Sequence, residues 1–187
     1  MKKILALMLL PVLAGCLTAG SPQVSYWPLD YVGAGHGERK ARFGVARLLQ
    51  TQVRSPYNND GIVVLRADGT VAFDPCNLFA ANPPALMKWV GLEALRQSGV
   101  FSGVVEASSA ASADVSVELV VNKLALDCRK EGERRAVAAV LVRVLDGKLI
   151  RATVTGAGSV DAADGNYGAA FSNAVSAAIA AALSDLK

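Results

Sequence analysis

The stretch from Val115 to Gly158 constrains the fold most. Val115, Val117, Leu119 and Val121 alternate with polar positions. That period belongs to a strand with one buried face. The phase then changes to Leu124, Leu126 and Cys128. One extra residue near Asn122-Lys123 produces such a change, so the pattern predicts a β-bulge there. A polar turn covers Arg129 to Arg134, and Ala136 to Leu145 is an almost continuous apolar run. Asp146-Gly147 is a tight hairpin turn into Lys148 to Gly158. The three strands read as an antiparallel meander.

Other elements flank this meander. Phe43, Val45 and Leu48-Leu49 start a strand that runs on to Val53. Ser55-Pro56-Tyr57-Asn58-Asn59-Asp60-Gly61 is turn chemistry. Ile62 to Leu65 reads as a buried strand, Asp68-Gly69 as its hairpin turn and Val71 to Phe73 as the returning strand. A loop through Asp74-Pro75-Cys76-Asn77 follows. Pro83-Pro84 opens a helix whose apolar residues Leu86, Val90, Leu92 and Leu95, with Trp89, recur at helical spacing to about Gln97, with Gly99 as its cap. Val100 to Val105 is a short strand. An alanine-rich helix from Tyr167 to Leu186 carries a stripe of Phe171, Val175, Ala178, Ile179, Ala182 and Leu183, with Asp164 or Asn166 at its start. The expected class is α+β: a mostly antiparallel sheet with two main helices packed on one face.

The first sixteen residues are not part of that domain. Lys2 and Lys3 precede the apolar run Ile4 to Leu10, and Leu13-Ala14-Gly15-Cys16 follows. A charged start, a short apolar stretch and small residues ending in cysteine make a secretory signal with a bacterial lipobox. The apolar stretch is about 12 residues, too short for a spanning helix of about 20. The expected organisation is therefore a signal peptide over 1–15, a lipidated Cys16 with a flexible tether over 16–40, and one domain over 41–187. The tether contains Tyr26-Trp27-Pro28-Leu29. This patch suits a short edge strand docked on the domain, or an anchor among lipid headgroups.

Charge and composition exclude several functions. The formal charge is +3, and it falls to +1 once Lys2 and Lys3 leave with the signal. No like-charged block remains, so nucleic acid is not an expected partner. The sole histidine, His36, lies in the glycine-rich tether. No serine sits in a G-x-S-x-G elbow, and Gly156-Ala157-Gly158 lacks the third glycine of a dinucleotide fingerprint. No metal, cofactor or catalytic residue is expected. With Cys16 acylated, Cys76 and Cys128 are the remaining thiols. In an oxidising compartment they favour a disulfide closing a loop of about 50 residues, with two separate buried thiols as the competing arrangement.

Read together, several short motifs resemble the ABC-type transport auxiliary lipoproteins, which include the paraquat-inducible C lipoproteins. These motifs are the lipobox, Tyr26-Trp27-Pro28-Leu29, Ser55-Pro56-Tyr57, Gly61-Ile62-Val63-Val64-Leu65-Arg66, Leu92-Glu93-Ala94-Leu95 and Ser98-Gly99-Val100-Phe101. Cys76-Asn77-Leu78-Phe79 stands where family members often carry tryptophan. The resemblance implies a non-enzymatic protein on the periplasmic face of the outer membrane, with the inner membrane as the other possibility. Its implied partners are an MCE-domain protein and an ABC permease and ATPase that move lipids, and it allows a homo-oligomer. It implies partner contacts at Tyr26, Trp27, Asn77 and Phe79. The alternative is an assembly or regulatory lipoprotein that binds an outer-membrane protein or a cell-wall synthase.

Overall fold

The computed structural model describes residues 22–33, 41–162 and 165–186. The lipobox with Cys16, the lone His36 and Asp164 lie outside the described residues. The strands are β1 (Ser25–Trp27), β2 (Phe43–Leu48), β3 (Gln52–Val53), β4 (Gly61–Arg66), β5 (Val71–Phe79), β6 (Phe101–Glu106), β7 (Val115–Cys128), β8 (Arg135–Asp146) and β9 (Leu149–Asp161). The helices are α1 (Pro83–Gln97) and α2 (Tyr167–Ser184).

All nine strands join one sheet with β7 as its spine. One edge of β7 pairs antiparallel with β8, and β8 pairs with β9. The other edge is shared end to end by β2, β3 and β4, all parallel to β7. Outside them lie β6, parallel to β2, then β5, antiparallel to β4, and finally β1, parallel to β5. Among the described residues five of the eight pairings are parallel. The expectation of a mostly antiparallel sheet is therefore corrected: the sheet is mixed. The antiparallel pairs are the three hairpins that turn residues announce. The parallel pairs join strands far apart in sequence.

The predicted bulge is present, as a register shift between Val121 and Lys123 against β8. It lets Val117, Leu119 and Val121 share the core face with Leu124 and Leu126. Both helices cover that face. Helix α1 starts at the N-cap Asn82, whose side chain accepts the Ala85 N–H, and Gly99 follows the helix at positive φ. Its Gly91 lies against Leu119 and Leu48. Asn166 holds the N-cap position of α2 but makes no side-chain cap bond.

Helix α2 seats unusually close to β9. A Cβ on Gly158 would lie 2.0 Å from the Ala174 carbonyl oxygen, and one on Gly156 would lie 2.0 Å from that of Ala178. The absence of side chains at Gly156 and Gly158 and the alanines on α2 together permit this approach. By length and composition α2 could cross a membrane, but 67% of it is buried inside this domain.

Candidate functional site

The most informative surface lies where the N-terminal segment joins the sheet. Strand β1 places Trp27 opposite Phe79 and Tyr26 opposite Leu78. The alternation of side chains sends Trp27 to the core face and Tyr26 to the opposite face. Trp27 packs edge-on against Tyr167, with ring centroids 5.9 Å apart. Its Nε1–H donates to Asn77 Oδ1 at 2.9 Å. Asn77 Nδ2 in turn donates to Asp74 Oδ2 at 3.0 Å, and Asp74 Oδ1 accepts the Cys76 and Asn77 backbone N–H groups. A relay from Asp74 through Asn77 to Trp27 thus ties the segment to β5.

The segment continues across α2. Leu29 is buried in the core. The Asp30 N–H donates to Ser172 Oγ at 3.0 Å, and the Val32 N–H donates to Ser176 Oγ at 2.8 Å. Burial pushes the Tyr31 phenol pKa up, and Glu93 of α1 pushes it the same way. So residues 25–32 belong to the domain, and the expected tether over 16–40 is interrupted by a docked strand. Ser172 and Ser176 were not singled out by sequence. Two serines four residues apart on an alanine helix were the available signal.

The four residues that the resemblance offered for partner contacts part company here. Phe79 is 3% exposed and packs edge-on against Phe171, with centroids 5.3 Å apart. It is core, and the partner role is corrected. Trp27 and Asn77 are occupied with each other. Tyr26 alone is open, at 64% exposure. Residues 74–77 form a bulge within β5, since Val63 pairs with Phe73 yet Gly61 pairs with Leu78, and the bulge turns Phe79 to the core.

The expected Cys76–Cys128 bridge is also corrected. Both thiols are free and half-buried. Strand β4 lies between β5 and β7, and Cys128 pairs at the Arg66 level while Cys76 sits near Ile62. Two inter-strand steps and four residues of rise separate their backbones by roughly 16 Å, against a limit of about 7 Å for a disulfide. Burial raises the Cys128 thiol pKa further, which keeps it protonated and unreactive.

On the face away from the helices, the corner beside β1 is apolar. Val64 of β4 packs into the core, so its neighbours Val63 and Phe73 point the other way. Phe73 is 49% exposed, lies over Gly61, and has Val71 at 51% exposure beside it. With Tyr26 they form an aromatic and aliphatic corner above buried Val63.

The concavities at the β7–β8 turn, beside α2 and beside β6 are all open to solvent. A concavity of about 800 Å³ by the β7–β8 turn is an open basin lined by Cys128, Lys130, Glu133, Arg134, Arg135 and Asp161. Its charges are paired locally: Lys130 with Glu133, and Arg135 with Asp161 at 3.5 Å. No group of three or more metal-ligating side chains occurs among the described residues.

No family model matches the chain, and no curated protein matches it in sequence. Solved structures do share its architecture. Protein XCC0632 from Xanthomonas campestris, whose description carries the family label DUF330, is 14% identical with a TM-score of 0.62, over 88% of this chain and 90% of that one. A second structure, described as an uncharacterized protein, is 13% identical with a TM-score of 0.63, over 88% and 96% of the two chains. At such identities the likeness is one of fold.

Proposed function

We propose that this chain is a lipoprotein anchored to the periplasmic face of the outer membrane. It serves without catalysis as an auxiliary component of an ABC/MCE-type system moving lipids or other hydrophobic molecules. The observation that carries the reading is the N-terminal seam. Segment 25–32, which begins nine residues after the lipobox cysteine, is locked to both β5 and α2. A domain fixed this way is held beside its anchor, and confinement raises its effective concentration for partners at that membrane. A tightly seated α2 favours a docking role over carriage of an acyl chain within the domain.

Two measurements test the reading. Intact mass of the protein purified from membranes is expected to show a chain starting at Cys16 with acyl chains attached. Crosslinking in native membranes, followed by capture through a C-terminal tag, is expected to recover an MCE-domain protein or its ABC permease. Recovery of cell-wall synthases or an outer-membrane barrel alone would sink the transport role.

A further inference from the structure

The apolar corner lies beside the point where the N-terminal chain enters the described residues. Strand β1 is parallel to β5, so the chain reaches Ser25 alongside the 74–77 bulge, next to Phe73. Val24, just before the strand, is 40% exposed. Nine residue steps separate Cys16 from Ser25. They span at most about 30 Å when fully extended. A domain of this size is about 40 Å across. The leash is shorter than the domain is wide, so the domain cannot turn its far side to the membrane.

We infer that the corner formed by Val24, Tyr26, Val71 and Phe73 rests in the headgroup layer of the membrane that holds Cys16. This rests on the lipoprotein reading above. The chemistry of the corner suits that layer. Tyr26 presents an apolar ring with a polar tip, and Phe73 and Val71 supply apolar area. Exposed Arg66 at the adjoining β4–β5 turn adds a cation for lipid phosphates, beside an exposed Asp68 whose carboxylate accepts from the Thr70 N–H and hydroxyl. The lipid chains of Cys16 bring the bilayer to this corner without any further recognition. The protein thus meets the membrane through both a covalent lipid and a patch of its own surface, a second signal that steadies a single anchor.

The test uses the full, lipidated chain in vesicles of phosphatidylethanolamine and phosphatidylglycerol, with and without brominated acyl chains. Phe73→Trp and Leu149→Trp are each placed in a Trp89→Phe background, leaving Trp27 common to both. Leu149 is an exposed residue at the β8–β9 turn, at the opposite end of the sheet. The expected result is a blue shift and bromine quenching for Phe73→Trp, with Leu149→Trp unchanged beyond the Trp27 background. Tyr26→Ser combined with Val71→Ser, both at exposed positions, is expected to reduce the quenching. If Phe73→Trp stays solvent-like while the acylated protein sediments with the vesicles, the inference is overturned and the corner is left to a protein partner or a second copy. If intact mass shows no acyl chain on Cys16, the lipoprotein reading itself has failed, and the inference falls with it.

Discussion

Gly156 and Gly158 show how a residue can be legible for the wrong reason. In the sequence they stand out only as an incomplete dinucleotide fingerprint. In the fold they are two bare positions on one face of β9, where the α2 backbone sits. Gly158→Ala puts a methyl group against main-chain atoms rather than a yielding side chain. It is expected to cost about 1–3 kcal/mol or more, read from urea unfolding. Trp27→Phe keeps a ring but deletes the donor to Asn77 Oδ1. A loss of about 1–3 kcal/mol is expected, with faster amide exchange across residues 25–32. Asp127 is set by its neighbour. Arg129 donates to both of its oxygens from Nε and Nη2, and this holds the carboxyl pKa at about 2, below its ordinary 3.8. A depressed folded-state pKa contributes stability that is present above the ordinary value and lost as pH falls toward 2. Arg129→Gln is expected to return the Asp127 titration, followed by NMR, toward its ordinary value and to flatten the stability profile in that window.

At the scale of elements, what was readable was what turns announce. The Asp68-Gly69 and Asp146-Gly147 signals and the polar run after Cys128 mark three hairpins, and all three form. The bulge near Asn122 was legible because a change of alternation phase has few other causes. The parallel pairings were not. Ala46 meets Val115 and Val64 meets Leu126, more than 60 residues apart, and no local residue pattern encodes such a meeting. The bulge inside β5 hid behind a proline and an Asx turn, which read as a loop. It reversed the parity of everything after it and placed Phe79 in the core instead of on a surface. The candidate corner suffered likewise. Phe73 was visible as a strand residue, but its exposure follows from strand order.

At the scale of the molecule, residues 22–33 are structural. They cover the edge of β5 and fill the Leu29 seat. A chain truncated to begin at Ala41 is expected to melt at a lower temperature than one beginning at Cys16. It is also expected to self-associate, because the β5 edge becomes available to another strand. Thermal unfolding and light scattering check the two outcomes, and an unchanged melting temperature would show the segment to be dispensable. Class and chain organisation were partly legible, since helix positions and hairpins come from local periodicity. The docked strand was one of two readings of Tyr26-Trp27-Pro28-Leu29; the mixed topology was not legible, since it depends on which distant strands meet.

The seam also sets an order of folding. Asp30 and Val32 are held by Ser172 and Ser176, 142 and 144 residues downstream. Strands β2, β3 and β4 wait for β7, and β8 and β9 wait for α2 to cover them. Until β7 emerges, the early part of the chain can close only the β4–β5 hairpin and the β1–β5 and β2–β6 pairs. Long-range pairing of this kind is intrinsically slow, because loop closure precedes its reward. A chain built this way stays threadable along most of its length while it is being made. The stretch after its first strand is secured only when its final helix is complete.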